Sequence, residues 1–487
     1  MGAVATTICG MTTDSARQRP VLTTDNVRRR PDLTTGGVRR RTVLAICVTS
    51  IFLVGLDTTV VNVALPSVGG ELRLAITDLQ WAIDAYTLVL ASLLITSGAL
   101  GDRIGRRRVF RIGLVLFAAG SVACALAPSI GALVAARALQ GVGASMLTPV
   151  ALAIVVGTVT DARERARVIG VWAAVFGLSM AAGPLLGGAL IGGLGWRAVF
   201  WANLPIVAVV LVLTFRFVPE SRSPRARRLD LPGQVLLTML VGATVAVLIE
   251  GPRWGWTAPS LLAGYAVIAA VLGAFARVET RRAEPLMDLG LFRRPAFAAA
   301  VGGAVAMFVA LNVTLLLGTL YLQQVRGMSP LAAGVVTLPM ALAAMVFAPL
   351  SGMLVGRVGP RLPLRIAGTA TMIGGALLIG LGDRTPMVML LVAYLFLGVG
   401  IGFANAPITN TAVSGLPPAR AGVAAGIAST SRQVGAALGV ALAGGLLAEV
   451  APGGLAAATR PGWALVALCG AAVLLAAQVS PTLHTAK

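Results

Sequence analysis

The chain is poor in every residue type that does covalent or metal chemistry. Its one histidine is His484, so no histidine cluster can hold a metal or relay protons. Its one lysine is Lys487. A phosphate-binding Walker loop needs Lys followed by Ser or Thr, which excludes a nucleotide-driven motor on this chain. The 4 cysteines (Cys9, Cys47, Cys124, Cys469) are scattered without a CxxC spacing and outline neither a disulfide frame nor a metal site. Charged residues make up 12% of the sequence, against ~25% in an ordinary soluble domain. No cofactor, metal or nucleotide is expected, and no residue set supports an enzyme.

Apolar length is what the chain has instead. Hydrophobic residues make up 57% and the mean hydropathy is +0.89. Runs of ~20 apolar residues recur throughout, each long enough to cross a ~30 Å hydrocarbon layer as a helix. They lack the short alternation of barrel strands, and helices satisfy their own backbone in lipid. Fourteen spans are expected, the first at 42–65 and the last at 462–480.

The net charge of +21 invites a nucleic-acid reading, but its placement argues against one. With the N-terminus inside, the outer loops hold six arginines (Arg73, Arg197, Arg253, Arg326, Arg384, Arg460), and the opposite loops and tails hold most of the rest. That asymmetry is the positive-inside rule. The expected partner is the bilayer, not nucleic acid. Arginine used in place of lysine, with abundant Ala and Gly, suggests a GC-rich bacterial genome and hence a bacterial inner (plasma) membrane, with both termini cytoplasmic.

Residues 1–41 contain a short duplication, LTTDNVRRR at 22–30 and LTTGGVRRR at 33–41. They lack apolar periodicity and are expected to form a disordered basic cytoplasmic tail. A cleaved signal is the rival reading. The apolar run after Arg41 is longer than a typical signal core and carries Asp57.

A longer repeat organises the rest. GALGDRIGRRR (98–108) matches GMLVGRVGPRL (352–362) at Gly98/Gly352, Leu100/Leu354, Arg103/Arg357, Gly105/Gly359 and Arg107/Arg361. RALQGVG (137–143) matches YLFLGVG (394–400), and Gly183 and Gly187 match Gly435 and Gly439. The offsets stay near 254, so two six-span halves run in the same orientation. The expected organisation is a tail (1–41), an N-terminal half (42–218), a linker with two extra spans (219–295), a C-terminal half (296–482) and a short tail (483–487). Asp102 faces Gly356 across the repeat, Arg137 faces Tyr394, and Asp57 faces Asn312. Intramembrane charge is thus kept in the N-terminal half.

Such charge is informative. A carboxylate in lipid costs at least ~2.5–3.5 kcal/mol, and Asp57 lies in LDTTVVNVALP, roughly 12 Å deep by helical rise. Asp84 and Arg137 lie at similar depth, so the three can meet across a cavity. Burial disfavours a charged carboxylate and a guanidinium favours it. That opposition permits a proton switch, the plainer reading being a pair that fixes helix packing. Arg432 near mid-membrane in the thirteenth span suits either an anionic group or a structural role. Asn62, Asn312, Gln323 and Gln324 are candidate cavity polars.

Together, LDTTVVNVALP (56–66), GALGDRIGRRR (98–108), RALQGVG (137–143), GPLLGG (183–188), WRAVFWANLP (196–205) and SRQVGAALG (431–439) resemble the major facilitator superfamily, and within it the fourteen-span drug:proton antiporters. The resemblance covers about residues 42–480. It implies an all-α membrane protein with 14 transmembrane helices arranged 6+2+6 in two pseudo-symmetric halves. It assigns proton coupling to Asp57 and Arg137, which Asp84 can share. Gating falls to the 101–108 turn (Gly98, Gly101, Asp102, Arg103, Gly105, Arg107), with Arg106, Arg108 and Arg111 expected to serve topology alone. An antiporter motif falls at Gly183, Pro184, Gly187 and Gly188. The implied function is proton-coupled efflux of an amphipathic or cationic drug. Export of an endogenous metabolite, lipid or siderophore is the alternative, and uptake by symport is disfavoured by Gly183-Pro184.

Overall fold

The computed structural model describes residues 33–158, 162–222, 230–282, 285–382, 384–416, 418–447 and 454–480. The expected tails at 1–32 and 483–487 lie outside them. Residues 33–41, expected in the disordered tail, instead open the first helix.

Among the described residues fourteen long helices follow one another: α1 Leu33–Leu72, α2 Ile76–Ile104, α3 Arg106–Ala125, α4 Ile130–Thr158, α5 Ala162–Leu194, α6 Ala198–Phe217, α7 Leu231–Trp254, α8 Pro259–Arg281, α9 Pro295–Leu320, α10 Pro330–Val358, α11 Arg361–Ile379, α12 Met387–Val413, α13 Pro418–Gly445 and α14 Leu455–Val479. Among the described residues there is no strand. Thirteen of these helices are long and apolar enough to span a bilayer. The exception is α13, as long as its neighbours but polar through Ser429–Gln433.

The repeat is visible in the packing. In α3–α4 contact, a side chain at Gly143 would strike the Phe117 backbone. In α11–α12 contact, one at Gly400 would strike Thr371. Gly183 and Gly187 lay α5 on Thr59 and Val60 of α1, and Gly435 and Gly439 lay α13 on Val305 and Val309 of α9. Close helix approach through small residues is how membrane bundles gain packing without a hydrophobic driving force.

The halves meet along two seams, α5 with α10 and α2 with α13. The extra helix α7 leans on both members of the second seam. At the end away from the 101–108 turn, one apolar cluster joins the halves. Its N-terminal members are confined to Val60–Ile83, Cys124–Ala136 and Ile191–Phe200. Toward the turn, residues such as Val43, Phe110 and Val155 form a separate N-terminal cluster. Phe297, Ala412 and Ile427 belong to another on the opposite half. The halves join directly at the far end, and a further cluster on α7 and α8 includes Ala437 and Ala441 of α13 and packs against Leu88 and Ile95 of α2.

Candidate functional site

Asp57 is 0% and Arg137 1% exposed, and they meet in the middle of the N-terminal half. Arg137 Nη1 donates to Asp57 Oδ2 at 2.6 Å. Gln140 Nε2 donates to Oδ1 at 2.8 Å, and Asn203 Nδ2 donates to the same oxygen at 3.1 Å. Arg137 also donates to the Gln140 side-chain carbonyl (2.7 Å) and to the Ala82 backbone carbonyl (3.2 Å), and its guanidinium lies 4.2 Å over the Tyr86 ring. Asn203 further donates to Ser121 Oγ at 3.0 Å, and Ser121 donates to the Phe200 carbonyl. Five helices (α1, α2, α3, α4 and α6) thus converge on one ion pair. Charges this deep persist only when their hydrogen-bonding capacity is met, and both carboxylate oxygens of Asp57 are engaged.

Asp84 does not join them. It is buried and accepts a hydrogen bond from Thr87 at 3.2 Å, while its second oxygen has no partner. The reason is azimuth. Ala82 and Tyr86 face Arg137, and two residues of helix turn a side chain about 200° to the opposite face. Asp84 shares instead the side of Gln80, whose amide donates to the Val440 and Ala441 carbonyls of α13, both at 2.9 Å.

A cleft opens between the halves, lined among others by Thr59, Asn62, Pro184, Thr314, Gln323 and Thr337, with no charged side chain among its lining residues. Asn62 donates to Thr58 O at 3.0 Å and leaves its own carbonyl oxygen unpartnered. Gln323 donates across the halves to Val63 O at 3.2 Å. Two expected cavity residues lie elsewhere. Asn312 donates to Phe308 O of its own helix at 2.9 Å and packs against Gly439, and Gln324 is exposed.

The glycine-proline stretch joins three helices. Gly183 and Gly187 abut α1, a side chain at Gly188 would come within 2.6 Å of Leu331 Cα on α10, and Pro184 O lies against Gly334.

The 101–108 turn is held from two sides. Asp102 Oδ1 accepts from Arg106 Nε (3.1 Å) and Nη2 (2.9 Å), and Arg106 Nη1 donates to Ala153 O of α4 (3.1 Å). Arg106, expected to be topological, is therefore the partner of Asp102. Gly105 has φ 119°, a left-handed conformation that glycine adopts freely, and Glu220 fills the space beside it. Glu220 Oε1 accepts from Arg107 N at 3.1 Å, its other oxygen is 3.7 Å from Arg108, and Arg107 donates to Val218 O at 3.3 Å. Arg111 stacks 3.5 Å over Phe215, and Arg103 is exposed. Gly98 and Gly101 face Pro149 and Val150 of α4.

The Major Facilitator Superfamily profile matches residues 47–440. The chain belongs to this superfamily. It is 40% identical over 398 residues to the multidrug resistance protein Stp of Mycobacterium tuberculosis, covering 82% of this chain and 74% of Stp. It is 39% identical over 409 residues to the puromycin resistance protein pur8 of Streptomyces alboniger (82% and 80%). A third relative is the methylenomycin A resistance protein of Streptomyces coelicolor, 35% identical over 408 residues (82% and 84%). As a major facilitator the chain is a multi-pass membrane transporter, not an enzyme.

Three site residues escaped the sequence reading: Gln140, Asn203 and Ser121. Gln140 had a signal, standing one helical turn beyond Arg137 on the same face. Asn203, an amide inside WRAVFWANLP, had a weaker one.

Proposed function

We propose that this major facilitator exports small amphipathic drugs across the bacterial plasma membrane in exchange for protons. The observation that carries the reading is the Asp57–Arg137 pair, an ionisable group fully enclosed within the N-terminal half, on the helix α1 that also lines the cleft where the halves meet. The names of the relatives, as multidrug and antibiotic resistance proteins, support drug export.

The mechanism follows from what relieves the charge. While Arg137 touches Asp57, the guanidinium supplies the counter-charge to the carboxylate. Rearrangement of the cleft that draws α4 from α1 leaves that charge bare in apolar surroundings, a state relieved by taking up a proton from outside. Return to the paired state releases the proton inward. With the arginine-rich turn end in the cytoplasm, the direct joining of the halves at the far end fits an inward-facing transporter with both termini cytoplasmic. One proton moved down ~100 mV supplies about 2.3 kcal/mol, enough for roughly a fifty-fold gradient of cargo. The Gly188–Leu331 and Gln80–Val440 contacts are those that must part for the outward-open state.

Dye accumulation in cells tests this. Cells expressing the wild type are expected to retain less dye than cells expressing Asp57→Asn at equal membrane amount. Equal retention at several external pH values would overturn the coupling role.

A further inference from the structure

We infer that Arg432 sets the charge of the cargo: the site takes a small organic anion, such as a carboxylate, phenolate or sulfonate, rather than a cation. The inference rests on the export reading above and adds the substrate class.

Arg432 stands midway along α13, in the polar stretch Ser429–Gln433. On the α13 wheel at 100° per residue, Gly435 and Gly439 face α9, and Val440 and Gly444 face Gln80 of α2. Arg432 falls between those two faces, toward the space between the halves. There it is partly exposed and makes one hydrogen bond, from Nη1 to Thr409 Oγ1 of α12 at 3.3 Å. Among the described residues it has no carboxylate partner. The contrast with Arg137 is complete, since that guanidinium has a carboxylate, an amide, a backbone carbonyl and an aromatic face.

Charge counting says what completes it. The C-terminal half, 296–482, contains two acidic residues, Asp383 and Glu449, so none of its acids is among the described residues. In the other half Asp57 is already engaged by Arg137, and Asp84 bonds only to Thr87. The cleft lining adds hydroxyl and amide groups but no acid. Arg432 is not among the residues lining that cleft, but among the described residues it is the charge left without a counter-ion on the side of α13 that faces between α2 and α9. A guanidinium offers paired donors suited to two adjacent oxygens, and an ion held so deep needs a counter-charge. An anionic cargo provides it during transport. A cationic cargo would have to approach the same charge unaided.

The rival is that Arg432 pairs with Asp84 in another state, since both lie on the α2–α13 seam. Proteoliposomes with an imposed proton gradient separate the two. Wild type, Arg432→Gln, Arg432→Lys and Arg432→Gln/Asp84→Asn are compared on an anionic carboxyfluorescein-type dye and on cationic ethidium. The expected result is that the wild type moves the anionic dye and moves ethidium poorly, that Arg432→Gln loses at least tenfold on the anionic dye while its ethidium transport does not fall, that Arg432→Lys keeps part of the anionic transport, and that the double variant shows no rescue. Transport of ethidium alone by the wild type, equal loss of both dyes in Arg432→Gln, or rescue by Asp84→Asn would each overturn the inference while leaving export standing. If the wild type moves neither dye, and cells expressing it gain tolerance to no drug in a panel, the export reading falls and this inference with it.

Discussion

In the N-terminal half Arg137 reaches from α4 to Asp57 on α1 and is enclosed by Gln140, the Ala82 carbonyl and the Tyr86 ring. In the C-terminal half the matching position on α12 is Tyr394, whose hydroxyl lies against Gly318 of α9. Gln140 is matched by Leu397, and Asp102 of the gating turn by Gly356. The scaffold positions are nevertheless shared, with Gly143 and Gly400, and Gly183 and Gly435, making equivalent close approaches. Duplication preserved what packs the helices and let the chemistry diverge. One half has an enclosed pair of opposite charges, and the other has Arg432, a cation with no carboxylate partner among the described residues.

The largest effect that breaks this comparison is expected from Arg137→Ala. Removing one partner of a buried pair leaves an uncompensated charge and costs about 3–5 kcal/mol, whereas Tyr394→Phe, at the matching place, removes a hydroxyl and no charge and should cost no more than about 1.5 kcal/mol. Unfolding midpoints of the two purified variants in detergent check the asymmetry. An intermediate effect is expected from Gln140→Leu, which imports the residue of the other half. It deletes a donor to Asp57 Oδ1 and should cost about 1–3 kcal/mol, with a displaced pH profile of transport. An unchanged profile would remove Gln140 from the coupling network. The smallest is Glu220→Gln. Its ion pair with Arg108 is largely exposed, so stability should change by less than about 1 kcal/mol, while turnover slows because the 101–108 turn loses its anchor. Steady-state transport rates at equal protein read that difference.

The sequence made the depth of a residue legible but not its direction. Asp57 and Arg137 could be placed at one level by counting residues along their spans, and they do meet. Asp84 shares that level and faces away. When nearly every face of a helix is apolar, periodicity does not say which face looks inward. The same gap concealed Asn203 and misplaced Asn312, each an amide in an apolar run. Helix count was legible because span length is set by the bilayer, and even α13, too polar by hydropathy, was marked by its place in the repeat. The Glu220–Gly105 contact was not legible. It joins the 101–108 turn to a segment more than a hundred residues later, and no periodic pattern encodes such a meeting.

The most direct test of the coupling claim is proton release on cargo binding, measured with purified protein in weakly buffered detergent solution. A transported drug from the resistance panel serves as ligand and a pH indicator as readout. The wild type is expected to release close to one proton per drug bound when mixed at mildly acidic pH, and Asp57→Asn to bind the drug with no release. Equal release from both proteins would place the exchanged proton elsewhere and contradict the account.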